Sequence, residues 1–163
     1  MRDQHKPKEQ LVNEVSNLRK QVDDLKAAAA SRRRVEDALR ESEARLRSLM
    51  DAAPTGIGRL EGGGALLVAN PALGRLLGYA TPAEALALTR VLGLFPTRDE
   101  ERRVLERLVA EEESSEVEAQ LRRKDGSSIV VRLVGRAVRD AGGQLEGYDL
   151  FVLGRAEVPA ARR

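Results

Sequence analysis

Apolar residues recur at alternating spacings of four and three along the first part of the chain. The residues at these spacings are Leu11, Val15, Leu18, Val22 and Leu25. This spacing places the leucines at position d and the valines at position a of a heptad, a pattern typical of a parallel two-stranded coiled coil. No proline or glycine occurs between Pro7 and Pro54, so residues 8–50 are predicted to form one helix. The pattern therefore predicts a homodimer held by this helix.

The apolar stripe changes register after Lys26. Continuing the first register would put polar or small residues in the seam, namely Ala29, Arg32, Glu36 and Glu43. A better stripe, displaced by three residues, consists of Val35, Leu39, Leu46 and Leu49. A slip of three residues overwinds a coiled coil locally. The predicted dimer interface comprises both stripes.

After Pro54 the pattern changes to short strands and turns, which indicates an α+β domain. Strands are predicted at residues 55–60, 65–69, 115–123, 128–139 and 144–153. Helices are predicted at residues 71–78, from residue 81 onward, and at residues 98–112. The last helix is expected to bury Val104, Leu105, Leu108 and Val109.

Turn and capping residues mark the boundaries of these elements. Asn70 is the predicted N-cap of residues 71–78, and Thr81 with Glu84 has the spacing of a capping box. The sequences Asp125-Gly126 and Gly142-Gly143 are strong hairpin signals between the last three strands. The sequence therefore predicts two hairpins joining these strands.

Three motifs in fixed order carry a family resemblance: Ala53-Pro54-Thr55-Gly56-Ile57, Asn70-Pro71-Ala72 running to Leu77-Gly78-Tyr79, and Arg123-Lys124-Asp125-Gly126-Ser127. With the helical lead-in at residues 41–47, the chain resembles a PAS domain over residues 41–153. The resemblance implies a five-stranded antiparallel sheet with helices on one face, and a sensing or dimerising module that is not an enzyme. The expected organisation is a disordered tail (1–7), a coiled-coil helix (8–50), a PAS domain (51–153) and a flexible tail (154–163).

Composition limits the chemistry that such a domain can perform. The chain has no cysteine, and its one histidine is His5 in the polar N-terminal tail. PAS proteins that bind haem through histidine place it inside the domain, and flavin adducts of light-sensing relatives require cysteine, so neither cofactor is expected. A serine nucleophile would lack a positioned base. We predict no catalytic residue, no metal site and no cofactor.

The interior of the domain is the remaining candidate site. In PAS domains that bind ligands, the cavity lies between the inner face of the sheet and the helices, so the resemblance implies these pocket candidates: Ile57, Val68, Leu73, Leu77, Leu92, Phe95, Leu108, Leu121, Val131, Leu133 and Phe151. With only 2% aromatic residues, a packed core is the favoured interpretation. Gly135, Ala137 and Gly147 are the positions that could leave room for a small apolar ligand.

Charge and hydropathy give expectations about partners. A net charge of +2 provides little attraction for nucleic acid or anionic lipid, and no apolar run is long enough to span a bilayer. A secretory signal is not recognisable, so a cytoplasmic location is expected. The Asp-Ile/Val-Thr motif that ends most sensory PAS domains is replaced by Leu153-Gly154-Arg155.

Three functions are compatible with these features. The first is a non-enzymatic signalling module that dimerises through its helix and contacts a protein partner, with a small apolar ligand as an optional input. In this case signals would pass through residues 40–54, where the two heptad registers meet. The second is the sensory input fragment of a two-component histidine kinase or a diguanylate cyclase. The third is a ligand-free oligomerisation module that only sets spacing.

Overall fold

The structure is a computed structural model that describes residues 7–156. One long helix precedes five strands, and three shorter helices lie between the second and third strands. The elements are α1 (Lys8–Ala52), β1 (Gly56–Glu61), β2 (Leu66–Ala69), α2 (Pro71–Leu76), α3 (Pro82–Leu92), α4 (Arg98–Ala110), β3 (Ser115–Arg122), β4 (Ser128–Arg139) and β5 (Leu145–Arg155).

The strands form one antiparallel sheet in the order β2-β1-β5-β4-β3, so β5 is central and β2 and β3 are the edges. The hairpins that join β3 to β4 and β4 to β5 turn at Gly126 and Gly143, whose φ angles are 85° and 80°. Only glycine adopts this left-handed conformation without steric cost, which explains the two hairpin signals in the sequence.

One face of the sheet is buried and the other is open, because successive side chains of a strand point to opposite faces. In β3 the burial alternates along the whole strand, with Val117 and Leu121 inward and Glu116 and Glu118 outward. The inward residues join the apolar sides of the three shorter helices in a single core cluster. The predicted α+β architecture, with helices on one face of a five-stranded sheet, is confirmed.

The boundaries of the elements agree with the sequence analysis to within two residues. The burial of one residue in α4 and the end of β5 differ from the prediction, each for a physical reason. In α4, Val104 and Leu108 are fully buried but Val109 is 38% exposed, which corrects the prediction that it is buried. At 100° per residue, Val109 lies about 120° from the centre of the buried stripe. The strand β5 continues through Gly154 and Arg155, because it pairs with β4 up to Val131. The first two residues of the predicted C-terminal tail (154–163) are therefore part of β5, which corrects that boundary. Residues 1–6 and 157–163, which make up the rest of the predicted tails apart from residues 7 and 156, lie outside the described residues.

The described chain divides into two compact units, and the division falls between Arg47 and Ser48. The first unit consists of most of α1. No residue of α1 is buried. The second unit contains the end of α1, the sheet and the three shorter helices.

Candidate functional site

Seven of the predicted pocket residues lie together in the core. They are Leu73, Leu77, Phe95, Leu108, Leu121, Val131 and Leu133, and each is at most 4% exposed. These residues belong to α2, the two chain segments that follow α2 and α3, α4, β3 and β4. The inner sheet face and the helices therefore bring together side chains that are far apart in sequence.

The other four predicted pocket residues do not line this interior. Val68, Leu92 and Phe151 are 40%, 45% and 42% exposed, and Ile57 is half-buried. Ile57 and Phe151 are neighbours on the outer face of the sheet, while Gly56 and Val152 next to them point inward. Leu92 is the last residue of α3. Alternation along β1 and β5 turns Ile57 and Phe151 outward, and the end of α3 leaves Leu92 at the surface. Val68 is exposed although Leu66 is buried, because the register between β1 and β2 shifts between these two residues.

Leucine side chains occupy the space in front of the inward-facing glycines. A β-carbon built on Gly135 would lie 2.9 Å from Leu150 Cδ2 and 3.0 Å from Leu108 Cδ1, and one on Gly58 would lie 2.9 Å from Leu73 Cδ2. At Gly147 such an atom would overlap the backbone carbonyl oxygen of Leu60. Gly135 and Gly147 therefore accommodate close neighbours instead of opening a cavity.

Asn70 connects three segments of the domain through one buried amide. Its side chain is 1% exposed. The Oδ1 atom accepts hydrogen bonds from the backbone N–H groups of Ile57 (2.8 Å) and Leu73 (3.0 Å), and Nδ2 donates to the backbone carbonyls of Thr55 (2.9 Å) and Met50 (3.1 Å). All four bonding positions of the amide are used. Asn70 thus caps α2, as predicted, and also binds the last turns of α1 and the start of β1.

A second set of polar contacts fixes α3 against the β3–β4 turn. The Lys124 ammonium group pairs with Glu84, which also accepts a hydrogen bond from the backbone N–H of Ala80 at 2.8 Å. Thr81 Oγ1 accepts from the Glu84 backbone N–H at 3.1 Å, as expected for the capping box. The hydrogen bond from Lys124 is the main reason that the pKa of Glu84 is lowered.

The apolar residues predicted to form the dimer interface are exposed in the single chain. Leu11, Val15, Leu18, Val22, Leu25, Val35, Leu39, Leu46 and Leu49 are between 40% and 69% exposed. Exposed apolar side chains at heptad spacing are typical of helices that pack against another helix.

Within residues 7–156, no group of three or more histidine, cysteine, aspartate or glutamate side chains is arranged to hold a metal ion. No helix in this part of the chain is both long and apolar enough to cross a membrane. The tyrosine hydroxyls of Tyr79 and Tyr148 have raised pKa values, mainly because burial disfavours the phenolate. Burial stabilises neutral tyrosine and does not prepare either group as a base at neutral pH.

Comparison with known proteins agrees with this architecture. Residues 44–153 match the family described as PAS fold, and the chain belongs to that family. Comparison with curated proteins finds no match.

Three solved structures illustrate the similarity. A domain of a sensory box sensor histidine kinase/response regulator from Geobacter sulfurreducens is 25% identical, with a TM-score of 0.50, over 72% of this chain and 96% of that chain. The PAS domain of an HTR-like protein from Haloarcula marismortui is 21% identical (TM-score 0.51; 74% and 96% covered). A PAS domain from Colwellia psychrerythraea is 15% identical (TM-score 0.56; 68% and 94%).

Sequence analysis identified Asn70 as a helix cap but not as the link to α1. The bonds to Met50 and Thr55 span 20 and 15 residues, and no local spacing rule predicts them. The contacts from α4 to the edge strand β3 were also missed, because Glu100 and Arg103 have the ordinary spacing of an exposed ion pair on a helix.

Proposed function

We propose that this chain is a signalling module that forms a parallel homodimer through α1 and communicates with a protein partner through that helix. The observation that carries the proposal is α1 itself: 45 residues of helix with no buried residue and with exposed apolar side chains at heptad spacing. A helix of this composition gains most of its stability from packing an apolar face against a partner. A second copy of the same helix provides a matching face.

The junction around Asn70 supports the proposed direction of communication. Met50 lies in the last turns of α1, and Asn70 ties its carbonyl to β1 and α2. A movement of α2 or β1 would change this bond and so the position of the helix end. The change of heptad register then lies farther along the same helix. We propose that residues 40–54 transmit the signal between the PAS core and the coiled coil.

The packed interior favours a module that works by protein contact over one that binds a small molecule. Leu108 and Leu150 fill the space at Gly135, and seven of the candidate pocket residues pack against each other. We therefore propose that dimerisation and protein contact, and not ligand binding, are the main function of the domain.

A second function, the sensory input of a larger signalling protein, is favoured by one specific observation. The domain from Geobacter sulfurreducens that matches at 25% identity comes from a sensor histidine kinase/response regulator. In that case the same dimer would relay its signal to catalytic domains in the same polypeptide. Co-purification of the full reading frame with phosphotransfer or cyclase activity would distinguish this function from the first.

The register change provides the experiment for signal transmission. Glu43→Leu fills a core position of the first register, and Arg40→Leu places an equally apolar residue outside both stripes as the matched control. Spin labels near the start of α1 report the distance between the two helices. We expect Glu43→Leu to alter that distance and Arg40→Leu to leave it unchanged; equal distances in all three proteins would contradict transmission through the register change.

A further inference from the structure

The edge strand β3 is covered by side chains from α4. Glu100 Oε1 accepts a hydrogen bond from the backbone N–H of Gln120 at 2.8 Å, and Arg103 Nη2 donates to the backbone carbonyl of Glu118 at 2.7 Å. An edge strand normally presents such groups to any neighbouring strand. Here the two side chains occupy the positions of a neighbour.

The geometry of this cover resembles strand pairing. The Glu118 carbonyl and the Gln120 N–H flank Ala119, and a residue of an adjacent parallel strand would bind the same two groups with its own N–H and carbonyl. The guanidinium group replaces that N–H and the carboxylate replaces that carbonyl. Two further bonds, of 2.7 and 3.0 Å, hold Arg103 and Glu100 together. We call this pair the edge clip.

Cover of the β3 edge continues beyond the edge clip. The backbone N–H of Arg122 donates to the carbonyl of Leu94 at 2.8 Å, and the Arg122 guanidinium donates to the carbonyls of Leu92 and Pro96. The loop after α3 therefore closes the end of the strand. At Arg122 a backbone carbonyl covers the edge, whereas at Glu118 and Gln120 the edge is covered only by the two side chains of the edge clip.

We propose that the edge clip prevents two copies of this chain from pairing through β3. A second copy is the matching partner because the edge is self-complementary: Glu118 can face the same residue of another copy about a two-fold axis, with both backbone groups exchanged. This register leaves the contact between Leu94 and Arg122 in place. It also opposes two Glu118 carboxylates, so charge repulsion reinforces the edge clip. The proposed surface contains no residue of α1.

A neighbouring ion pair on α4 provides a matched control. Asp99 and Arg102 have the same spacing of three residues and a bond of 2.8 Å. Their side chains are 88% and 69% exposed, whereas the Glu100 side chain is 16% exposed. Replacing either pair with alanines removes one ion pair from the same helix. Only the replacement of Glu100 and Arg103 uncovers β3.

The test uses full-length proteins that all carry Glu118→Cys. This substitution removes the opposing charge, and because the chain has no cysteine of its own it gives a single site for cross-linking. Directly opposed residues of an antiparallel pair have Cα atoms about 5.5 Å apart, which suits a disulfide. Mass is measured by sedimentation under reducing conditions, and cross-linking is measured after mild oxidation.

We expect Glu100→Ala/Arg103→Ala to reach at least twice the mass of the Glu118→Cys parent and to form disulfide-linked pairs of chains, and Asp99→Ala/Arg102→Ala to do neither. A monomeric parent would double in mass, whereas the dimer proposed above presents two β3 edges and would form tetramers or larger assemblies. A rise to at least twice the parental mass is therefore the readout in both cases. A folded Glu100→Ala/Arg103→Ala variant with the parental mass would overturn the proposal. Doubling of the Asp99→Ala/Arg102→Ala variant would overturn it as well.

A second variant covers the case in which the alanine variant does not fold. Glu100→Arg/Arg103→Glu keeps an ion pair on α4 but places a donor opposite the Gln120 N–H, so the strand-like fit is lost. We expect this variant to reach at least twice the parental mass too. Retention of the parental mass by the swapped variant would show that the edge clip is an ordinary ion pair and not a guard of the edge.

Discussion

Asn70 illustrates how one side chain can combine local and long-range roles. As an N-cap it satisfies a free N–H group of α2, and as a buried amide it holds the carbonyl of Met50. The first role uses Oδ1 and the second uses Nδ2. The two roles can therefore be separated by a substitution that changes only one end of the amide.

We predict that Asn70→Asp keeps the cap on Leu73 but releases Met50 and Thr55, because a carboxylate accepts hydrogen bonds and does not donate them. The lost bonds and the buried charge should lower the free energy of unfolding by about 1–3 kcal/mol. Hydrogen exchange should become faster in peptides covering residues 48–55. The matched control is Thr97→Ala, which removes the cap of α4 at 3.1 Å from the Glu100 N–H and leaves those peptides unchanged.

The inward-facing glycines lead to a prediction about packing. Gly135→Ala introduces a methyl group within about 3 Å of Leu150 and Leu108, and overpacking of this kind costs about 1–3 kcal/mol. Gly63→Ala is the control, because a β-carbon there meets nothing within 4 Å. Denaturant unfolding of the three proteins measures both effects. If Gly135→Ala is as stable as the parent, the interior has spare volume, and this result would favour the hypothesis that the domain binds a small ligand.

The contact between α4 and the edge strand β3 depends on the charge of the Glu100 carboxylate. Hydrogen bonding from Arg103 is the main reason that the pKa of Glu100 is lowered from its ordinary value of 4.5. A carboxylate with a lowered pKa in the folded state adds stability above its unfolded pKa and loses it as the pH falls through its folded pKa. The neighbouring charges at this position are Arg103 and, acting on Arg103, Glu118.

We therefore expect Glu100→Gln to be less stable than the parent at neutral pH, with the difference shrinking as the pH is lowered below about 4.5. Thermal or denaturant unfolding of both proteins across this range measures the difference. Asp99→Asn serves as the control, since the Asp99 carboxylate is 88% exposed. A stability difference for Glu100→Gln that does not change with pH would contradict a stabilising role for the ionised Glu100 carboxylate.

At the level of α1, the heptad assignment makes a position-specific prediction. Leu18→Asp places a charge in the predicted seam, whereas Asn17→Asp places the same charge at the adjacent position outside it. A desolvated, unpaired carboxylate costs several kcal/mol, which corresponds to a weakening of dimerisation by about a hundredfold or more. Sedimentation equilibrium over a range of concentrations should show dissociation only for Leu18→Asp.

Sequence patterns predicted the elements well because their signals are local. The hairpins at Gly126 and Gly143, the caps at Asn70 and Thr81, and alternation along β3 each depend on a few consecutive residues. Surface position was harder to predict for apolar residues such as Phe151, because alternation identifies two faces without identifying the buried one. Contacts between elements, such as Asn70 with Met50, depend on the tertiary arrangement and leave no periodic signal.

The whole molecule combines a packed PAS domain with a helix whose apolar side chains are exposed in the single chain. The second unit buries its own apolar side chains in one core between the sheet and the three shorter helices. The helix α1, which makes up most of the described part of the first unit, has no buried residue within one chain. In the proposed dimer, the apolar stripes are buried against the same helix of a second copy, and the PAS domain is one of a pair.

Native mass spectrometry of the full-length chain is the decisive test of dimerisation through α1, because one spectrum reports both the number of chains and any bound molecule. We expect a particle of twice the chain mass with no additional mass. A bare monomer at micromolar concentration would contradict dimerisation through α1. A dimer with additional mass would keep the coiled coil but contradict the filled interior.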